Sequence, residues 1–306
     1  MSAFAVLPRS KDAFADAVRA GGGEVGELGP QTRGIVWLSY SQGADLREVL
    51  AAHPQIEWVQ LPWAGVDAFH DVFAAADRPG LTWTSAKGAY AEPVAEHALA
   101  LTLALLRSLP ERARATSWGG KRGRSLHRAK VVIVGAGGIA QELIRLLGVF
   151  DADITVVRRT TEPLPGANRT VAADALAGAV ADADVLVLAA AATDDTAQLV
   201  DAELLRRMPE TAVLVNIARG ALVDTDALVA ALAAGEIAGA ALDVTSPEPL
   251  PDGHPLWTEP RCLITPHSAD TPEMTAPLLA ARITGNVRAF LAGEPLTGVV
   301  DVRLGY

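Results

Sequence analysis

VVIVGAGGIAQELIRLL, residues 131–147, sets the reading of the whole chain. Four β-branched residues read as a buried strand, and QELIRLL after the glycines has apolar residues at helical spacing. Between them, GAGGIA fits the GxGxxG/A turn in the context that gives this pattern weight, a strand before and a helix after. Gly135 allows the tight turn, Gly137 lets the backbone approach a pyrophosphate, and Ala140 takes the third small position, where helix and strand pack closely. Amides at the opening of the helix, at Gly138 and Ile139, then face the phosphates along the helix dipole. The stretch predicts a dinucleotide-binding strand, turn and helix in preference to a glycine turn without a ligand.

Strands and helices continue to alternate beyond it. Apolar strands are expected at 154–157, 185–189, 213–217, 239–244 and 262–265; with 131–134 they make six, the set of a parallel, doubly wound α/β sheet. Before residue 90, short strands at 3–7, 34–38, 56–61 and 81–84 alternate with more polar helices, which reads as a second, smaller α/β unit. EPVAEHALALTLALLRSLPER, residues 92–112, is apolar around nearly its whole circumference, with an acidic start and a basic end. It reads as one long buried helix joining two domains, with His97 packed in the core or at a domain interface. A Gly-rich, basic loop follows. After His267, Thr271 and Pro272 start a last helix that Gly293 ends.

At roughly 150 residues per domain, 306 residues also suggest two domains. Half of them are apolar and one in five is charged, which excludes a disordered scaffold. Twenty-six basic against thirty-six acidic residues leave a formal charge of −10, so neither nucleic acid nor a membrane surface is expected as a partner. The single cysteine, Cys262, excludes an internal disulfide and any zinc site of paired cysteines; it suits a reducing, cytoplasmic setting, and its buried strand makes it an apolar filler. The start MSAFAVLPRSKDAF has no leader pattern, and no apolar stretch reaches the ~18 residues that span a bilayer. No histidine stands in a metal-ligand spacing, and no metal is expected.

Three residues stand just past successive strands: Arg219 in VNIARG, Glu248 in ALDVTSPEPLP and His267 in ITPHSAD. In an open parallel sheet the carboxyl ends of the strands form the ligand crevice, so these three loops could converge on one molecule. Arg219 could clamp a carboxylate and polarise a neighbouring carbonyl, and His267 could exchange a proton with its oxygen. Glu248 could orient the ring and support its imidazolium form. Taken singly, each has an ordinary structural explanation: a surface ion pair, a turn, a structural histidine. About 20 residues past the glycine turn, where NAD-binding domains place an acidic group, the chain has Arg158 and Arg159. Guanidinium groups there suit a 2′-phosphate, so NADP is the preferred cofactor and NAD the other one the site could take; a solvated strand end is the alternative.

The order of GAGGIA, NIARG, LDV with EPLP, and TPH, together with AGVD at 64–67 and the AEHALAL helix, resembles the D-isomer-specific 2-hydroxyacid dehydrogenase family over most of the chain. The resemblance implies a flavodoxin-like substrate domain made of residues 1–92 and 271–306, and a Rossmann-type dinucleotide domain, 93–270, inserted into it. It also implies a homodimer and catalysis by Arg219, Glu248 and His267. Asp243 would contact the nicotinamide carboxamide, backbone amides near Gly65 and Val66 would bind the substrate carboxylate, and Trp63 and Ala64 would shape the pocket, with Lys87 and Gly88 in a similar loop. Glu248 sets the chain apart from the formate dehydrogenase branch, which is Gln there. The ending GVVDVRLGY leaves no room for the regulatory domain of many phosphoglycerate dehydrogenases. Arg158 and Arg159 are similar to the phosphate-gripping pattern of the glyoxylate/hydroxypyruvate reductase branch. The expectation is NADPH-dependent reduction of small 2-ketoacids to D-2-hydroxyacids. The rivals are a nucleotide-sensing, corepressor-like binding protein and a dehydrogenase of larger branched or aromatic 2-hydroxyacids.

Overall fold

The computed structural model describes residues 3–303 and forms two compact units, Met1–Tyr90 with Thr271–Tyr306, and Ala91–Asp270. The terminal residues 1–2 and 304–306, which the sequence reading assigns to the substrate domain, lie outside the described residues.

The first unit has five parallel strands, β1 (Ala3–Leu7), β2 (Glu24–Val25), β3 (Thr32–Trp37), β4 (Trp58–Gln60) and β5 (Thr82–Thr84), in the order β2-β1-β3-β4-β5. This is the flavodoxin-like order. The two-residue β2 is absent from the sequence reading, because a half-exposed pair at a sheet edge leaves no alternation to read. Helices α1 (Asp12–Ala20), α2 (Gly43–Ala52) and α3 (His70–Ala76), with the C-terminal helix Pro272–Ala292, complete the unit. One face of the sheet buries Ile35, Trp37, Val59, Phe69 and Phe73. On Phe4 and Trp58 sits Phe290 of the C-terminal helix, stacked on Trp58 at 5.8 Å between ring centroids. Thr271 precedes the first turn of that helix and Gly293, at φ 70°, ends it.

The second unit opens with α4 (Ala91–Leu106) and α5 (Leu109–Ala113), which corrects the expectation of a single helix over 92–112. Pro110 has no N–H to give the Leu106 carbonyl, which instead accepts from the Arg124 amide at 2.6 Å, and Ser108 takes a left-handed φ of 53° at the break. Seven parallel strands follow: β6 (Lys130–Val134), β7 (Asp153–Arg158), β8 (Arg169–Ala172), β9 (Val185–Leu188), β10 (Val213–Asn216), β11 (Gly239–Leu242) and β12 (Cys262–Ile264). They are ordered β12-β11-β10-β9-β6-β7-β8. The expected six strands are all there; the seventh, β8, is an edge strand of sequence RTVA with no fully buried residue, too polar to read as one. Strands β9, β10 and β11 are buried throughout, and apart from Asn216 at the end of β10 their sequence is apolar, as helices on both sheet faces require. These helices include α6 (Gly138–Leu147), α7 (Leu176–Ala179), α8 (Ala202–Arg207) and α9 (Thr225–Ala234). The chain runs outward from β6 to β8 and returns to β9 on the other side of β6. That reversal is the topological switch point, where a doubly wound sheet opens its ligand crevice. Among the described residues, no helix is long and apolar enough to cross a membrane.

Candidate active site

The glycine turn joins β6 to α6. Gly135 has φ 113°, and a Cβ there would stand 2.4 Å from the Ala189 carbonyl oxygen at the end of β9, so only glycine lets the two strand ends approach. Its N–H donates to the Val157 carbonyl at 2.9 Å, which ties the turn to the end of β7. Gly137 precedes α6, whose first residues are Gly138 and Ile139, and the third, Ala140, is fully buried. A Cβ on Gly137 would meet no atom within 4 Å. The space above the turn is therefore open, and the first amides of α6 have no acceptor within the helix. Arg158 closes β7 and Arg159 follows it, exposed, at the same edge of the sheet. Open space, unsatisfied helix amides and two guanidinium groups fit a phosphorylated dinucleotide.

Arg219 lies three residues beyond β10, half-buried, on a loop shaped by Asn216. This fully buried side chain accepts the Ala218 N–H at 3.0 Å and donates to the Arg219 carbonyl at 2.9 Å. The Arg219 Nη1 donates to the Ala218 carbonyl at 2.7 Å. Gly220 comes next, and a Cβ there would lie 1.9 Å from the Thr245 carbonyl oxygen. Any side chain would force apart the loop that carries Arg219 and the loop that leads to Glu248.

Glu248 and His267 are in contact. His267 Nδ1 is 2.6 Å from Glu248 Oε1, while Oε2 accepts from the Thr245 N–H at 3.3 Å. An ionised carboxylate only accepts, so Nδ1 carries the hydrogen and Nε2 is left for a ligand. The two side chains are 46% and 41% exposed, so the pair faces outward.

The His267 backbone has φ 49°, a left-handed conformation uncommon for a side chain of this size, and the buried Asp243 is its main support. Three successive N–H groups converge on Asp243: that of His267 on the main-chain carbonyl at 2.8 Å, that of Ser268 on Oδ1 at 2.9 Å and that of Ala269 on Oδ2 at 3.1 Å. The Thr265 hydroxyl also donates to Oδ1, at 2.6 Å. Thr265 thus has only lone pairs for His97, whose Nε2 is 3.0 Å from its oxygen and 3.3 Å from Asp243 Oδ1. His97 is therefore a polar partner of this brace, which corrects its reading as packing. Burial would raise the Asp243 carboxyl pKa, but the hydrogen bonds from His97, Thr265, Ser268 and Ala269 outweigh it and hold the group below its usual range.

No pattern in the sequence marks Asp270. Burial pushes its carboxyl above the usual range, with Asp243 acting in the same sense and His267 and Arg219 against it, so this carboxyl senses the groups on both loops. Asn216 stands inside the VNIARG stretch, which gives it no role of its own. The available signal was a polar residue ending a buried strand, which must find partners there. Burial, with Glu259 acting in the same sense, pushes the Cys262 thiol up to about 12, as for an inert filler.

In the first unit, Trp63, Ala64, Gly65 and Val66 form the loop after β4. Trp63 is partly exposed and packs edge to face on Tyr40, with centroids 6.2 Å apart, while Val66 is buried. Lys87 and Gly88 lie in the loop after β5.

The family model described as D-isomer specific 2-hydroxyacid dehydrogenase, NAD binding domain, matches residues 99–269. A protein of Corynebacterium melassecola, named for its place in the proB 3' region, is 43% identical over 257 residues, covering 82% of this chain and 84% of its own length. A glyoxylate reductase/hydroxypyruvate reductase of Homo sapiens is 32% identical over 267 residues, covering 84% of this chain and 80% of that protein. The crystal structure of a D-isomer specific 2-hydroxyacid dehydrogenase from Xanthobacter autotrophicus Py2, in complex with NADPH and MES, superposes with a TM-score of 0.84. It is 29% identical and covers 100% of this chain and 99% of its own.

Proposed function

This chain belongs to the D-isomer specific 2-hydroxyacid dehydrogenase family, and from that premise we propose that it reduces small 2-ketoacids of the glyoxylate and hydroxypyruvate type to D-2-hydroxyacids with NADPH. The observation that carries the reading is the Glu248–His267 contact, at the carboxyl edge of the parallel sheet beside the loop of Arg219.

The dinucleotide, when bound, supplies the hydride. His267 holds a proton on Nε2 and donates it to the ketone oxygen as the carbon is reduced. Glu248 accepts from Nδ1, which fixes the ring and stabilises the imidazolium. Arg219 presents a planar fork to the substrate carboxylate and carbonyl oxygen. Backbone amides of Gly65 and Val66 are assigned to the same carboxylate, and Trp63 and Ala64 to the substrate side chain. Gly135, Gly137, Gly138 and Ile139 are assigned to the pyrophosphate, and Asp243 to the nicotinamide carboxamide alongside its hold on the His267 turn. Arg158 and Arg159 are assigned to a 2′-phosphate, a choice supported by the NADPH in the Xanthobacter relative. A cytoplasmic homodimer that engages neither nucleic acid nor membrane completes the proposal.

The test is turnover of glyoxylate, hydroxypyruvate and branched or aromatic 2-ketoacids, each with NADPH and with NADH. Highest kcat/KM on the small acids with NADPH is expected. Preference for a bulky acid would replace the substrate assignment, and tight dinucleotide binding with no turnover of any acid would favour a nucleotide-sensing protein.

A further inference from the structure

In the first unit the C-terminal helix carries Arg282, whose Nη1 donates to the Ser85 carbonyl at 2.8 Å and whose Nη2 donates to the Lys87 carbonyl at 3.0 Å. Among the described residues the partners of this half-buried guanidinium are main-chain carbonyls and no carboxylate. A cation taken partly out of water needs compensation, and here two main-chain carbonyls provide it.

The clamped segment in turn holds the loop after β4. The Ala86 N–H donates to the Trp63 carbonyl at 2.9 Å. Ser85 Oγ accepts from the Lys87 N–H at 3.1 Å and points its own hydrogen at the Ala64 carbonyl, 3.4 Å away. The Tyr90 hydroxyl donates to the Pro62 carbonyl at 2.6 Å. Three consecutive carbonyls, 62 to 64, are thus fixed by residues 85–90. Ser85 and Ala86 are buried, so no water substitutes readily for these bonds. From the far side the Ser85 N–H is anchored on the Gly298 carbonyl at 2.8 Å.

We propose that Arg282 is a positioning residue for substrate recognition: by clamping the Ser85 and Lys87 carbonyls it sets the shape of the 63–66 loop and the direction of its Gly65 and Val66 amides. This rests on the assignment of that loop to the substrate carboxylate. The role differs from that of Arg219, since Arg282 acts through main chain and spends its fork on carbonyls.

Arg282→Met keeps the apolar stem and removes the donors. Amide hydrogen exchange should quicken in segments 61–69 and 84–90 and stay unchanged in the second unit. KM for the 2-ketoacid should rise about tenfold, with kcat and NADPH affinity within about twofold of the wild type, the pattern of lost ground-state binding. Arg282→Lys, which keeps the charge but only one prong, should give a smaller shift in the same direction and carries the test if the Met variant does not fold. Unchanged exchange in both segments, faster exchange with KM unaltered, or loosening of the whole chain together with weaker NADPH binding would each overturn the proposal. A wild-type chain inactive on every 2-ketoacid would overturn the functional reading instead, and the exchange comparison would still decide whether Arg282 holds the loop.

Discussion

Asp243→Asn is the most informative perturbation of the brace beneath His267. An asparagine that keeps its oxygen toward Thr265 and Ser268 turns an amide NH2 toward the Ala269 N–H, where Oδ2 accepts at 3.1 Å. Leaving that buried donor without an acceptor costs about 1–3 kcal/mol, and the remaining bonds from Thr265 and Ser268, with the longer contact from His97, lose about 2 kcal/mol between them when their acceptor becomes neutral. The whole is about 3–5 kcal/mol, in the range for removing one partner of a buried charged group. At about 2–4 °C per kcal/mol for a unit of this size, the midpoint of thermal unfolding at pH 7 should fall by roughly 10 °C. Turnover should fall about a hundredfold, since the turn that fixes the imidazole loses its Ala269 anchor and keeps only a weakened one at Ser268. The effect also has a pH signature. The Asp243 carboxyl is held below its usual range, so its stabilisation is present above the unfolded value of about 3.9 and is lost as pH falls through the lower folded value. The gap between wild type and variant should therefore close on acidification. Circular dichroism melts across pH, with parallel turnover assays, decide the matter. A variant within about 2 °C of the wild type at pH 7, with unaltered turnover, would refute the assignment of Asp243 as the residue that holds the turn.

Arg219→Lys should lower kcat/KM for the 2-ketoacid by about 10- to 100-fold, the equivalent of one charge-assisted hydrogen bond, because a point charge cannot reproduce the planar fork; unchanged kinetics would contradict the clamp. Changing Arg158 and Arg159 together to Ala should weaken NADPH by about tenfold or more and leave NADH nearly unaffected, measured by fluorescence titration of both cofactors. Equal losses would reject the 2′-phosphate contact. The Asp270 carboxyl is held above its usual range, so stability is lost as pH rises from the unfolded value toward the higher folded one. Asp270→Asn should accordingly raise the unfolding midpoint at pH 7 and not at acid pH, and a variant less stable at pH 7 would show that Asp270 is held by bonds rather than merely desolvated.

The strand frame was legible where the chemistry is repetitive. Runs such as 131–134 and 185–188 admit one reading once a glycine turn and a helix follow, and parallel strands covered on both faces must be apolar without interruption. Legibility failed where stability comes from elsewhere. RTVA becomes β8 by pairing with β7 at the sheet edge, and the break at Ser108 depends on a distant Arg124 amide taking over the Leu106 carbonyl. At the candidate site, the positions of Arg219, Glu248 and His267 past strand ends could be read from spacing. The groups that orient them could not. Asp243, Asn216 and His97 act through hydrogen bonds to loop backbone or to a neighbouring side chain, and His97 meets Thr265 across 168 positions of chain. Only a rule that buried polar groups must be satisfied hints at them, and it names no partner. Arg282 was equally silent, an arginine in an amphipathic helix until its two carbonyl partners are seen.

On this mechanism His267 carries the proton in the reduction of a 2-ketoacid. The decisive comparison is of kcat/KM for wild type and His267→Ala on glyoxylate and hydroxypyruvate, with NADPH affinity measured on the same samples. A loss of about 100- to 10,000-fold in kcat/KM with NADPH affinity unchanged is expected. Turnover retained within a few-fold, or a loss explained by failure to bind the dinucleotide, would contradict this role.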